Sequence, residues 1–248
     1  VRVEILKTGI RDIDEALGGG LINKGILLIN YDKRSLGWVL AVKILKQMIE
    51  NGAIGVILNT ALPLSKLKLR ANYLGWDIEE DGKRGNLFII DLFGSKYEIH
   101  EDETYVYQIE DWSDETGVSK LMDVYKELES KIPKDKVIVG AIATLDTMYH
   151  NFNEDVMHKI LRFSLASIEM QSMRDIKLVI IALLNRDAVP EHINAMLYSL
   201  SDQIIEFNSK ICPSGLESTI VVVKSLVPGF TPYHYTLKLS KECYIQLF

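Results

Sequence analysis

Apolar runs and helix-spaced apolar patterns alternate along this chain. "GILLIN" (25–30) has the unbroken apolar character of a buried strand. Residues 38–51 then place Val39, Leu40, Val42, Ile44 and Leu45 at helical spacing, and Asn51-Gly52 ends the pattern. "AIGVILN" (53–59) predicts a second strand, and a helix follows Pro63 to about Leu74. "NLFIID" (86–91) predicts a third strand. Residues 92–113 lack a clean period and are acidic, which predicts an exposed loop with one edge strand at "YVYQI". A helix is expected over 114–131, with Leu121, Val124, Tyr125 and Leu128 on one face. "KVIVGAIATL" (136–145) predicts a strand, 153–173 a long helix, "IKLVIIALL" (176–184) a strand, and 190–199 a helix. The end changes character. "DQIIEFN", "STIVVVKS", "YHYTLKL" and "CYIQLF" are strand-like, with turn residues and no helix between them.

Strands that alternate with helices imply a largely parallel sheet covered on both faces. The closing meander implies antiparallel strands added at one edge. No repeat or linker interrupts residues 1–248, so a single domain is expected.

Charge and composition then remove several function classes. The 248 residues are 48% apolar and 25% charged, with net charge −6. Nucleic-acid binding depends on Lys and Arg neutralising phosphates, so an acidic chain makes nucleic acid an unexpected partner. Lys66, Lys68 and Arg70 gather on one stretch and are expected to form a solvated helix face. Cys212 and Cys243 form no C-x-x-C, which fits free thiols in a reducing, cytoplasmic setting. No signal peptide is visible, and the longest apolar run, 178–184, is far too short to span a bilayer, so no membrane partner is expected. The five histidines are scattered, with no H-E-x-x-H, so no metal site is expected. No G-x-S-x-G marks a hydrolase. Met148, Met157, Met170 and Met173 read as core packing, and Trp76-Asp77 as a packing and turn feature.

A family resemblance sharpens this. "TGIRDIDEALGGGLINKGILLI" (8–29) resembles the entry to the KaiC-type branch of the RecA-like ATPases, through Thr8, Gly9, Asp14, Leu17, Gly18, Gly19, Gly20 and Gly25. "YLGWDIEEDGKRGNLFIID" (73–91) and "VVVKS" are similar to later segments of that branch. The resemblance implies an α/β fold, a RecA-like three-layer α/β/α core whose largely parallel central sheet is extended by antiparallel C-terminal strands.

It also implies where ATP chemistry would sit. Working members run from the first strand into G-x-x-x-x-G-K-[ST], whose backbone, Lys and hydroxyl hold phosphates and Mg²⁺. Here Tyr31 stands at the first Gly, Leu36 at the second, Gly37 at the Lys and Trp38 at the Ser/Thr. Thr60 and Ala61 stand where two acidic residues are implied, and Gly140 where the Mg²⁺-associated Asp is implied. Lys224 remains where the family reaches toward a neighbour's nucleotide, but Leu226 replaces the Arg expected after it.

The expectation is a catalytically inactive RecA/KaiC-like core that hydrolyses no ATP and takes no cofactor. Each lost charge-assisted hydrogen bond forfeits about 1.5–3 kcal/mol, against about 8.2 kcal/mol for micromolar affinity. Tyr31, Leu36 and Trp38 are expected to fill the phosphate volume. A protein or peptide partner, or a second copy in a homo-oligomer, would then dock near Tyr31, Arg34, Trp38 and Lys224. Two alternatives stand beside this. Lys33, Arg34 and the helix N-terminus would serve a regulatory protein that binds ATP/Mg²⁺ through a non-standard loop. A DNA-binding recombinase paralogue would use 146–155 and 185–192, which here read "DTMYHNFNED" and "NRDAVPEH" and are acidic or mixed.

Overall fold

The structure is a computed structural model that describes residues 3–172, 176–213, 215–239 and 245–247. Cys243 and Met173 lie outside the described residues. The chain opens with β1 (Ile5–Leu6), α1 (Arg11–Ala16) and β2 (Leu21–Ile22), and the two strands pair antiparallel. The amide and hydroxyl of Thr8 both donate to Asp14 Oδ1 at 2.8 Å, which pins the start of this unit. Gly20 follows at φ +139, where an added Cβ would stand 2.5 Å from the Leu6 carbonyl oxygen. Only glycine fits that approach.

The main layers follow. β3 (Ile26–Tyr31), α2 (Gly37–Glu50), β4 (Ile54–Asn59), α3 (Leu64–Tyr73), α4 (Ile78–Lys83) and β5 (Leu87–Asp91) come first. α5 (Leu92–Tyr97), β6 (Val106–Tyr107), α6 (Gly117–Lys131), β7 (Val137–Ala143), α7 (Leu145–Asn151), α8 (Glu154–Ser172) and β8 (Lys177–Asn185) come next. α9 (Glu191–Leu200) precedes β9 (Gln203–Cys212), β10 (Gly215–Ser225), β11 (Tyr233–Leu239) and β12 (Ile245–Leu247).

These strands form one sheet in the order β12-β11-β10-β9-β3-β8-β7-β4-β5-β6. From β9 through β6 all neighbours are parallel, and β9 to β12 pair antiparallel. The parallel sheet with a terminal antiparallel extension agrees with the alternation of patterns. Side chains leave the sheet on two sides, as the strand period of two requires. Leu27, Ile29 and Tyr31 join α2 in one core, while Leu28 joins α7, α8 and α9 in the other.

Some local structure departs from expectation. The acidic stretch holds α5, begun by Asp91, whose side chain accepts from the Gly94 amide. β7 stops at Ala143, because Thr144 turns to φ +46 and opens α7. Trp76 and Asp77 act as read. Trp76 is buried with its indole N–H on Asp81 Oδ2 at 2.7 Å, and Asp77 caps α4. The basic face of α3 is not simply solvated, because Lys68 reaches Glu103 at 3.3 Å and Glu79 at 3.4 Å.

Gly140 is corrected as the stand-in for the Mg²⁺-associated position. It sits mid-strand, opposite Val56 and Ile180, three places before the end of β7. It borders an apolar cavity of about 70 Å³ with Tyr125 and Leu128 of α6, on the far side of the sheet from α2. The strand-end position on the α2 side is Ala143. A Cβ on Gly140 would find nothing closer than 3.7 Å. Gly140→Ala is therefore expected to stabilise the fold by about 0.4–1 kcal/mol. In thermal unfolding this is a rise of roughly 1–4 °C.

Candidate functional site

The carboxyl ends of the parallel strands meet around the turn between β3 and α2. Tyr31 closes β3 between Asn185 and Phe207 of the neighbouring strands. It is buried, and its ring lies against the start of α2. Gly37 makes that possible. A Cβ there would stand 2.6 Å from Tyr31 Cβ and 2.8 Å from Cγ. Burial first, and then the nearby Asp146 charge, push the Tyr31 phenol above its usual range.

The turn 32–36 is organised by Asp32. Its Oδ1 accepts the Arg34 amide at 2.8 Å and the Ser35 amide at 3.0 Å. Its Oδ2 accepts the Ser209 amide from β9 and lies 3.7 Å from the Arg186 guanidinium. Ser35 returns its hydroxyl to the Asp32 carbonyl at 3.0 Å. No residue from 31 to 38 has positive φ, so the turn has abandoned glycine-only backbone angles. Asp followed three places on by Ser is a turn signature that sequence reading passed over.

Of the residues expected here, Tyr31, Gly37 and Trp38 come together. Leu36 does not fill the site: it is exposed and precedes α2 without capping it. Trp38 is half-buried beneath the Arg70 guanidinium, 5.5 Å from ring centroid to Cζ. Arg34 is exposed, with its amide held by Asp32. Lys224 is elsewhere. Its amine donates to the Tyr198 carbonyl of α9 at 3.1 Å, across the sheet from α2. Thr60 is fully buried and joins two strand ends, its hydroxyl donating to the Ala143 carbonyl at 2.6 Å. Thr144 is β-branched at φ +46, a conformation that costs about 1–3 kcal/mol.

A cavity of about 70 Å³ opens beside Trp38, between α2, α3, α4 and the ends of β4 and β7. Ala41, Ala61, Ala71, Ala141 and Ala143 leave the space, and Trp38 and Trp76 wall it. Arg70 stands at its rim. Neither Arg70 nor these alanines stand out as a site in the sequence, because they come from α2, α3, β7 and the loop after β4 and meet only in the fold.

Asp146, on α7, is a second buried acid at this edge, beside Asp32. Its Oδ1 accepts the Asn185 amide at 3.0 Å, and burial raises its carboxyl above the usual range. The folded chain thus protonates it at a higher pH than the unfolded chain. Its contribution to stability falls as pH rises from the ordinary carboxyl range through the raised value. Asp146→Asn keeps the acceptor and removes the charge. The variant is expected to melt above the native chain at pH 7, with the gap closing as pH falls toward 4. Parallel melting curves across that range test this.

Known proteins share this architecture. The family model described as the KaiC ATPase matches residues 6–225. The chain belongs to the KaiC family. Among curated relatives, a UPF0273 protein of Aeropyrum pernix is 28% identical over 146 residues, covering 58% of this chain and 56% of that protein. One of Thermotoga maritima is 26% identical, covering 58% and 57%. The matched stretch thus spans just over half the length of these curated relatives. Among solved structures, uncharacterized protein PH0321 of Pyrococcus horikoshii, in complex with an unknown peptide, superposes with TM-score 0.81 at 16% identity, covering 98% of this chain and 99% of that one. The KaiC-like protein PH0186 of the same organism gives 0.69 at 16% identity over all of both chains. The flagellar accessory protein FlaH of Methanocaldococcus jannaschii gives 0.67 at 15%, covering 96% and 95%. At these identities the likeness is one of fold, and it places this chain's mixed sheet among KaiC-like RecA folds.

Proposed function

We propose that this KaiC-family chain is a binding module that takes a protein or peptide partner and performs no ATP chemistry. One observation carries the reading: Asp32 supplies, from within the chain, the anion that a phosphate loop would take from a nucleotide. Its carboxylate already accepts the Arg34, Ser35 and Ser209 amides. An incoming phosphate would have to displace it and then sit beside it. Two like charges 4 Å apart cost about 4 kcal/mol at an effective dielectric of 20. That alone moves a micromolar ligand toward millimolar. Glycine-free angles in the turn, Thr60 and Ala61 after β4, and Ala143 at the end of β7 point the same way. The peptide seen with PH0321, a fold relative over nearly the whole chain, supports a peptide as partner. Calorimetric titration with ATP·Mg²⁺ is the test. No heat of binding is expected at 100 µM protein (about 100-fold above a micromolar Kd), and micromolar affinity would overturn the reading.

A second reading rests on α2. Its first turn has no side-chain cap, and Lys33 and Arg34 stand exposed before it. Residual anion affinity there would appear in the same titration as weak, salt-sensitive binding.

A further inference from the structure

The alanine-lined cavity and Arg70 form one composite feature. Its walls are apolar, from Leu45 of α2, Leu67 of α3 and Ala141 and Ala143 of β7, with both indoles. Its rim carries the Arg70 guanidinium, 5.5 Å over the Trp38 ring. Among the described residues Arg70 makes no ion pair with a carboxylate. A guanidinium held over an aromatic ring without a carboxylate partner retains N–H donors in the fork that matches a carboxylate. At about 70 Å³ the space is half of the roughly 150 Å³ that admits benzene, so it suits one aliphatic side chain and no nucleobase.

We propose that this cavity receives the C-terminal residue of a peptide, its aliphatic side chain inside and its α-carboxylate on Arg70. The proposal rests on the reading of the chain as a binding module and names the ligand. The charge and the apolar pocket lie side by side, so the ligand must carry both within a few atoms. A C-terminal Val, Leu or Ile carries them on a single carbon. An internal acidic residue next to an aliphatic one does not, because neighbours in an extended chain point to opposite sides.

The experiment titrates the full chain with acetylated pentapeptides ending in Gly-Val, Gly-Leu or Gly-Ile, read by indole fluorescence, since Trp38 and Trp76 both wall the cavity. Saturable binding is expected for at least one free-acid peptide, with a tenfold or greater loss for its C-terminal amide. Arg70→Gln should cost a similar factor, Arg70→Lys less. Ala61→Leu, at the half-buried edge of the cavity, should abolish binding. Melting curves confirm that each variant folds. Equal binding of acid and amide, an unaffected Arg70→Gln, or no response to any of the peptides overturns the proposal. So does isovalerate binding as tightly as the best peptide, which would assign the pocket to a free acid. Failure here with no ATP binding leaves the module reading intact, whereas micromolar ATP binding removes that reading itself.

Discussion

An Asp32→Ala variant is expected to melt roughly 5–15 °C below the native chain, from a loss of about 2–4 kcal/mol. Three backbone amides lose a charged acceptor at once, and the Arg186 guanidinium loses its nearest carboxylate. Arg186 keeps the Phe207 carbonyl at 2.8 Å and Asn208 Oδ1 at 2.7 Å, so the change concentrates in the turn. Water can reach the Arg34 amide in the exposed part of the turn, which holds the loss below the sum of three such bonds. The variant also yields a signature that mere destabilisation lacks. With the internal anion gone, added phosphate or acetate should raise its melting temperature more than that of the native chain. Identical anion responses in the two chains would show that the carboxylate occupies no anion site.

Gly37→Ala is the second large effect, and its sign runs against propensity. In a helix's first turn, exchanging glycine for alanine ordinarily stabilises by up to about 1 kcal/mol. Here the new methyl would stand 2.6–2.9 Å from the Cβ, Cγ and Cδ1 of Tyr31. Tyr31 belongs to a strand paired on both sides, so the ring has little room to retreat. The expected cost is about 2–3 kcal/mol. In a Tyr31→Gly background the same exchange should be neutral or mildly favourable, since all three clashing atoms are gone. Denaturant melts of the four chains test this. A Gly37→Ala cost that persists without the Tyr31 ring would assign it to some other contact.

The fold was legible where the hydrophobic period was long. α2, α6, α8 and the buried strands each bury a recurring face, and the chain announces this in order. The short helices α4, α5 and α7 were not legible, because six or seven residues do not establish a period. α5 and α7 exist through their ends: an Asp91 cap in one case and a strained Thr144 in the other. The Gly140 position slipped for a related reason. An apolar run does not say where a strand stops, and a shift of three places exchanges the two faces of the sheet. The site was legible as a turn with unexpected residues. What now organises it, Asp32 held by Ser209 and Arg186, joins residues about 150–180 apart, and such a pairing leaves no local trace.

That separation has a consequence for how the chain is made. β3 is the first strand of the ten-stranded sheet to be synthesised, yet its two neighbours are β8 and β9. During translation its apolar residues wait, unpaired on one edge until β8 is made at residue 185 and on the other until the chain has passed residue 207. The strand–turn–helix at the front of the sequence is thus among the last parts of the molecule to find its place. A ribosome stalled before β9 would present only the six strands from β3 to β6, with β3 as an exposed edge that invites aggregation or a chaperone.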